Sequence, residues 1–120
     1  MVHKFDRHVR VANLIREEIA LLLSREVKDP KLQTVTITHV KVSRDLRRAQ
    51  VFFSLMGTLK EREEAASSLK RAEGFIRREL GRSLHLKRIP ALTFEYDDSY
   101  EKGMKIDALL KKLKEGGEDE

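Results

Sequence analysis

Apolar residues recur at helical spacing through the first quarter of the chain. They return every three or four positions, as in the apolar stripe of an amphipathic helix. The stripe consists of Val11, Leu14, Ile15, Ile19, Leu22 and Leu23. We predict a helix from about Asp6 to Glu26, followed by a break at Pro30, because proline disfavours helical backbone at the residue before it.

Two segments of alternating apolar and polar residues follow, at residues 34–38 and 40–43, and both are rich in β-branched side chains. Such alternation is typical of half-buried strands. The phase changes between Ile37 and Val40, which predicts a β-bulge near His39. A further alternating segment at residues 49–56 comes after a short polar connection, so we expect an antiparallel hairpin.

The next helical region begins with Thr58 and Glu61, which have the spacing of a capping box. Its apolar stripe continues across a glycine, through Ala65, Leu69, Ala72, Ile76 and Leu80. A glycine inside a straight helix costs about 1 kcal/mol relative to alanine. We therefore predict two short helices that meet at a kink formed by Ala72, Glu73 and Gly74.

The last third of the chain predicts one more strand and one more helix. Residues 91–97 alternate, and Pro90 before them fits a strand start. Asp98 or Ser99 is expected to cap a final amphipathic helix that ends near residues 116–117. The apolar positions of this helix are Ile106, Leu109, Leu110 and Leu113.

The predicted order is α-β-β-α-kink-α-β with a C-terminal helix. It indicates an α+β domain in which helices cover one face of a three-stranded sheet, an arrangement typical of a KH-type fold. We divide the chain into a KH-like unit at residues 1–98, a helical extension of the same domain at residues 99–115, and an acidic tail at residues 116–120.

Charge is distributed unevenly along the 120 residues, whose net charge is +5. Lys and Arg outnumber Asp and Glu by 11 to 6 in residues 1–48 and by 7 to 2 in residues 70–88, whereas residues 89–120 carry 5 against 9. Clustered cations of this kind favour a polyanion such as RNA. The alternative is a solvated charged surface with local ion pairs.

Composition and motifs argue against several other classes of function. The chain has no cysteine, which excludes disulfides and thiolate chemistry. The four histidines do not stand at metal-ligand spacing, and no phosphate-cradling or nucleophile-elbow motif occurs, so we expect no metal site, no cofactor and no catalysis. The first residues lack the apolar region of a signal peptide, and we expect a cytoplasmic protein without a membrane span.

Several fragments of the sequence together resemble the ribosome-binding factor A family. They include Lys28-Asp29-Pro30-Lys31-Leu32, the run from Val40 to Val51, Ala72-Glu73-Gly74-Phe75-Ile76-Arg77, and Pro90-x-Leu92-x-Phe94. The resemblance implies a type II KH-like fold in which an Ala-x-Gly kink, here Ala72-Glu73-Gly74, replaces the usual GxxG loop. That kink coincides with the break predicted from the helical pattern.

The resemblance also implies a function for the chain. Members of this family bind the free 30S subunit near the decoding region and the 5′-terminal helix of 16S rRNA. They support late maturation of the rRNA precursor, act in cold adaptation, and leave before translation. We therefore expect a non-catalytic monomer that contacts rRNA phosphates, with Ala72 and Gly74 forming the kink. The expected phosphate contacts are Arg7, Arg10, Arg16, Arg44, Arg47, Arg48, Lys70, Arg71, Arg77, Arg78, Arg82, Lys87 and Arg88.

Three other interpretations remain open. A general single-stranded RNA-binding KH module would need exposed aromatic residues, whereas we expect Phe52, Phe53, Phe75 and Phe94 to serve the core. A protein-interaction adaptor would bind its partner after RNase treatment. A processing nuclease would cleave RNA in a metal-dependent reaction.

Overall fold

The computed structural model describes residues 7–25 and 27–118, which form an α+β fold of three strands and four α-helices. The elements are α1 (Arg7–Arg25), a short 3₁₀ helix (Pro30–Leu32), β1 (Thr36–Val42), β2 (Arg48–Ser54), α2 (Leu59–Arg71), α3 (Glu73–Leu84), β3 (Ala91–Tyr96) and α4 (Ser99–Glu118). The predicted order and fold class are confirmed. The predicted ends of the first helix, Asp6 and Glu26, lie outside the described residues.

The three strands form one mixed sheet in the order β1-β2-β3. β1 and β2 are antiparallel, as the short polar connection predicts, and β2 and β3 are parallel. The register of the β1–β2 pair shifts between Ile37 and His39, so the predicted bulge is confirmed. Because β2 and β3 are parallel, Arg48 lies beside Ala91, and both strands start at the same end of the sheet.

The hydrophobic core lies between the sheet and the first three helices. Val51 and Phe53 of β2 are fully buried, and so are Ile15 of α1 and Ile76 of α3. Burial of a side chain of this size contributes about 1.5–3 kcal/mol. Leu14 is 45% exposed and lies outside the core, contrary to the predicted stripe.

α2 and α3 are separated at Ala72, where we predicted the kink. The predicted capping box is present, because Thr58 accepts a bond from the Glu61 amide while the Glu61 carboxylate accepts one from the Thr58 amide. The new helix α3 has no side-chain cap. Instead, the carboxylate of its first residue, Glu73, accepts a hydrogen bond from the Leu92 amide at 3.2 Å and so joins α3 to β3.

α4 starts directly after the sheet and is held there by a small polar cluster. Glu101 accepts hydrogen bonds from Arg62 of α2 and from the Tyr96 hydroxyl, both at 2.9 Å, and the Arg62 guanidinium stands 4.3 Å above the Tyr96 ring. The side chain that accepts the first amide of α4 belongs to Asp97 rather than to Asp98 or Ser99 as predicted. Asp98 instead pairs with Lys102.

Beyond its first turn, α4 presents its apolar residues to solvent. Ile106, Leu109, Leu110 and Leu113 are each more than half exposed. The helix runs to Glu118, and residues 119 and 120 of the predicted acidic tail lie outside the described residues. The division of the chain into a unit, an extension and a tail stays a prediction. None of the described helices is long and apolar enough to cross a membrane.

Candidate nucleic-acid interface

The turn between β1 and β2 presents three arginines, Arg44, Arg47 and Arg48, all of which are exposed. Asp45 organises this turn, because its carboxylate accepts hydrogen bonds from the Ser43 hydroxyl at 2.6 Å and from the Arg47 amide at 3.1 Å. Those two bonds hold the pKa of Asp45 below its usual range. The carboxylate therefore stays charged near neutral pH and holds the turn that carries the arginines.

The segment between α3 and β3 brings two more cations to the same end of the sheet. α3 ends at Leu84, and His85 takes a left-handed φ of 50° that ends the helix. Lys87 and Arg88 follow and are exposed, whereas Pro90 is buried. The next residue, Ala91, donates its amide proton to the Arg47 carbonyl at 2.9 Å. That bond sets the two basic segments side by side.

We call this part of the surface the basic end. It consists of Arg44, Arg47, Arg48, Lys87 and Arg88. No single segment of sequence contains all of it, because it depends on the parallel pairing of β2 with β3.

The first turns of α1 lie beside the basic end. A groove of about 540 Å³ runs between α1 and β1, and its lining includes His8 and Asn13 of α1 and residues 39–44. Arg7 and Arg10 of the same helical turns are exposed. Arg16 is half-buried further along α1.

The remaining predicted cations follow the kink and α3. Lys70 lines a second groove, of about 490 Å³, between α2 and β3, together with Glu73 and Phe94. Arg78 is exposed on α3. Two other cations have partners within the chain, because Arg71 donates to the Ser68 hydroxyl at 3.1 Å and Arg82 pairs with Glu79 at 3.4 Å.

The guanidinium of Arg77 bonds to the backbone of another segment. It donates to the carbonyl oxygens of Ile89 at 3.0 Å and Pro90 at 3.2 Å. These bonds connect α3 to the segment that carries Lys87 and Arg88. Arg77 therefore has a positioning role that its sequence context did not reveal.

Gly74 lies in the first turn of α3 with ordinary helical backbone, and its φ is not positive. A Cβ atom at this position would meet nothing within 4 Å. The backbone next to the kink is therefore open to close approach from outside.

The opposite end of the sheet carries negative charge. Glu61, Glu63 and Glu64 lie at the start of α2, and Asp97 follows β3. The Thr58 amide and hydroxyl lower the pKa of Glu61, and the Ser99 and Thr38 hydroxyls lower the pKa of Asp97. The carboxylates of Glu61 and Asp97 are therefore ionised at neutral pH. The domain thus has a basic end and an acidic end.

The described residues contain no cluster of three or more His, Cys, Asp or Glu that could hold a metal ion. The carboxylates whose pKa departs from its usual value have lowered ones, and each accepts a turn, capping or anchoring hydrogen bond. The pKa of Tyr96 is raised, first by burial and then by its bond to Glu101. What the surface offers is an array of guanidinium and ammonium groups, which suits a phosphate backbone.

The sheet surface opposite the helices was not assigned a role from the sequence. We call it the open face; its side chains are His39, Lys41, Arg48, Gln50, Phe52, Thr93 and Glu95. Phe52 was expected in the core, and that expectation is wrong, because Phe52 points away from the buried side of β2. The alternating pattern of β2 predicts that Phe52 and Phe53 lie on opposite faces of the sheet. It does not indicate which of these faces the helices cover.

Comparison with known proteins relates the whole arrangement to one family. The family model described as "Ribosome-binding factor A" matches residues 7–110. A ribosome-binding factor A from Syntrophobacter fumaroxidans is 51% identical over 112 residues, which cover 92% of this chain and 96% of that protein.

Two structures of relatives extend the comparison to the fold. The crystal structure of ribosome-binding factor A from Thermus thermophilus gives a TM-score of 0.66 at 22% identity, covering 74% of this chain and 93% of that one. A homology model of the Thermus thermophilus protein, fitted into a cryo-EM map of a 30S complex, gives 0.58 at 25% identity and covers 77% and 92%. The family match over residues 7–110 and the relative that is 51% identical show that the chain belongs to the ribosome-binding factor A family.

Proposed function

We propose that this protein is a non-catalytic assembly factor that binds the free 30S ribosomal subunit through rRNA phosphates and supports late maturation of the 16S rRNA precursor. The observation that carries the proposal is the basic end. Five exposed cations from two distant segments are brought together there by the bond between Ala91 and Arg47. The Thermus thermophilus relative described in a 30S complex supports the choice of partner.

The mechanism follows from the charge distribution of the domain. Arg44, Arg47, Arg48, Lys87 and Arg88 would contact phosphates of folded rRNA, with Arg7, Arg10, Lys70 and Arg78 extending the contact along α1 and the kink. The acidic end, with Glu61 and Asp97, would be repelled by rRNA and would face away from it. This charge distribution would orient the protein on the subunit before close contacts form.

Family resemblance supplies the finer expectations. They are contact with the 5′-terminal helix of 16S rRNA and the decoding region, release before translation, and a contribution to growth in the cold. A cytoplasmic monomer would suit this role.

The proposal is tested by co-sedimentation of the purified protein with 30S subunits, 50S subunits and 70S ribosomes at about 50 mM and about 200 mM salt. We expect pelleting with 30S subunits alone and a steep loss of binding at the higher salt. Equal binding to all particles would indicate a nonspecific RNA binder. Binding that survives both high salt and RNase would indicate a protein-interaction adaptor.

A second experiment addresses maturation itself. Cells depleted of the endogenous homologue should accumulate 16S rRNA with an unprocessed 5′ end, and expression of this chain should restore the mature end. Primer extension measures both species. A purified sample that cleaves precursor rRNA in the presence of Mg²⁺ would overturn the non-catalytic part of the proposal.

A further inference from the structure

Phe52 occupies an unusual position for an apolar side chain of this size. Among the described residues it belongs neither to the buried core nor to the partly buried apolar side chains that pack against the core. It lies on the open face beside His39, with ring centroids 6.0 Å apart and ring planes inclined by 30°. Two aromatic rings are therefore presented on a surface that the helices do not cover.

The β-bulge creates this pair. His39 is the partner of Phe52 because the register shifts between Ile37 and His39. A cross-strand aromatic pair contributes to the stability of a sheet wherever it lies, and that is the purely structural explanation. It does not account for the surroundings of the pair.

Cations stand next to the aromatic pair on the open face. Lys41 pairs with Gln50 two positions along the strands, and Arg48 follows at the start of β2. A shallow depression of about 480 Å³ is lined by Lys41, Ser43, Arg48, Gln50, Thr93 and Glu95. Arg48 belongs both to the basic end and to the open face, so the two surfaces are continuous.

The floor of the depression offers hydrogen-bonding groups of both kinds. The Gln50 amide donates to the Glu95 carboxylate at 3.4 Å, a long bond between two exposed side chains. Such a pair can exchange its mutual bond for bonds to a base edge, which carries donors and acceptors of its own.

We propose that the open face is a second RNA site that captures an unpaired nucleotide. Its base stacks on Phe52 and His39, Lys41 and Arg48 contact the flanking phosphates, and Gln50 and Glu95 meet the edge of the base. Aromatic rings beside cations are the combination that unstacked bases require. A base inside a duplex has both of its faces covered by neighbours, so the occupant is a single-stranded segment. The site deepens the proposed function, on which it rests for the identity of the RNA as ribosomal.

Tryptophan at position 52 provides a direct reporter, because the chain has no tryptophan of its own. The full-length Phe52→Trp variant is titrated with an unlabelled single-stranded A/C-rich hexanucleotide RNA while indole fluorescence is recorded. We expect quenching that saturates, because a stacked base quenches the indole. Tyr100→Trp is the control, since Tyr100 is 73% exposed in the first turn of α4, beside the acidic end. Quenching in neither variant, or in the control alone, would overturn the proposal.

Binding measurements with a labelled form of the same hexanucleotide complete the test. Phe52→Leu keeps an apolar side chain but removes the ring, and we expect it to weaken binding by about tenfold, whereas Phe52→Tyr should retain it. Tyr100→Leu, which removes an exposed ring at the acidic end, should bind like the wild type. An unchanged affinity in Phe52→Leu, or a loss only in Tyr100→Leu, would contradict the site.

Different results would contradict the proposed function and the open-face site. A wild-type protein that does not pellet with 30S subunits contradicts the proposed function. A wild-type protein that pellets with 30S subunits, while Phe52→Leu pellets equally well and binds the hexanucleotide equally well, contradicts only the open-face site.

Discussion

The guanidinium of Arg77 donates a hydrogen bond to the carbonyl oxygen of Pro90 at 3.2 Å, and a second bond reaches the neighbouring Ile89. α3 is thereby joined to the start of β3. The segment between them carries Lys87 and Arg88, so Arg77 sets the position of two cations of the basic end. An arginine predicted as a phosphate contact is engaged inside the chain.

Replacement of Arg77 should therefore reduce stability. Arg77→Met removes both bonds to the carbonyl oxygens and should lower the free energy of unfolding by about 1–3 kcal/mol. Urea denaturation measures the change, and Arg78→Met on the exposed side of the same helix is the control. Equal stabilities for the two variants would show that the Arg77 bonds contribute nothing.

Gly74 gives a prediction in which stability and binding move in opposite directions. Its backbone is helical and a Cβ meets nothing, so Gly74→Ala should raise the free energy of unfolding by up to about 1 kcal/mol. The added methyl group would obstruct close approach of an rRNA backbone to the kink, and binding to 30S subunits should weaken. Thermal unfolding and co-sedimentation measure the two effects. A more stable variant that binds normally would show that nothing approaches Gly74.

Asp97 gives a prediction about pH. Hydrogen bonds from the Ser99 and Thr38 hydroxyls lower its pKa below the ordinary value of 3.8. A lowered pKa stabilises the folded state above pH 3.8, and that contribution disappears as the pH falls through the folded-state pKa.

Asp97→Asn should therefore be less stable than the wild type at neutral pH, by about 1–2 kcal/mol. The difference between the two proteins should shrink below pH 3.8. Urea denaturation along a pH series measures it. A difference that stays constant down to the acid limit would show that the charge of Asp97 is not what matters. Asp107→Asn on α4 is the control.

Local signals in the sequence predicted much of the fold. Thr58 and Glu61 are three residues apart, and the capping box that they form needs no information from elsewhere in the chain. The kink at Ala72 and the bulge before His39 also follow from changes of pattern within a few residues. These features were predictable because the interactions that produce them are local.

Long-range pairing determined what the sequence did not predict. The basic end depends on the bond between Ala91 and Arg47, whose residues are far apart in the chain. Arg77 donates to carbonyl oxygens of the segment before β3. The local sequence around an arginine does not show whether such a distant segment passes within its reach. Phe52 is half-buried on the open face rather than buried in the core, and that depends on which side of the sheet the helices cover.

The cap of α4 shows a smaller error of the same kind. Asp97 and Asp98 are adjacent and chemically equivalent, so sequence alone does not favour either. Thr38 of β1 donates to Asp97 at 2.6 Å, and this contact from a distant strand holds the Asp97 carboxylate at the helix start.

The basic end is tested most directly by the salt dependence of 30S binding in a charge-reversed variant. Arg47→Glu, Lys87→Glu and Arg88→Glu are combined in one chain, with Lys111→Glu, Lys112→Glu and Lys114→Glu on exposed α4 as a control with the same change of net charge. We expect the basic-end variant to bind at least about tenfold more weakly and to lose about 0.9 from the salt slope for each phosphate contact removed. The control should keep the wild-type slope. Equal losses in both variants would mean that net charge alone drives binding, and a wild-type slope in the basic-end variant would contradict the account.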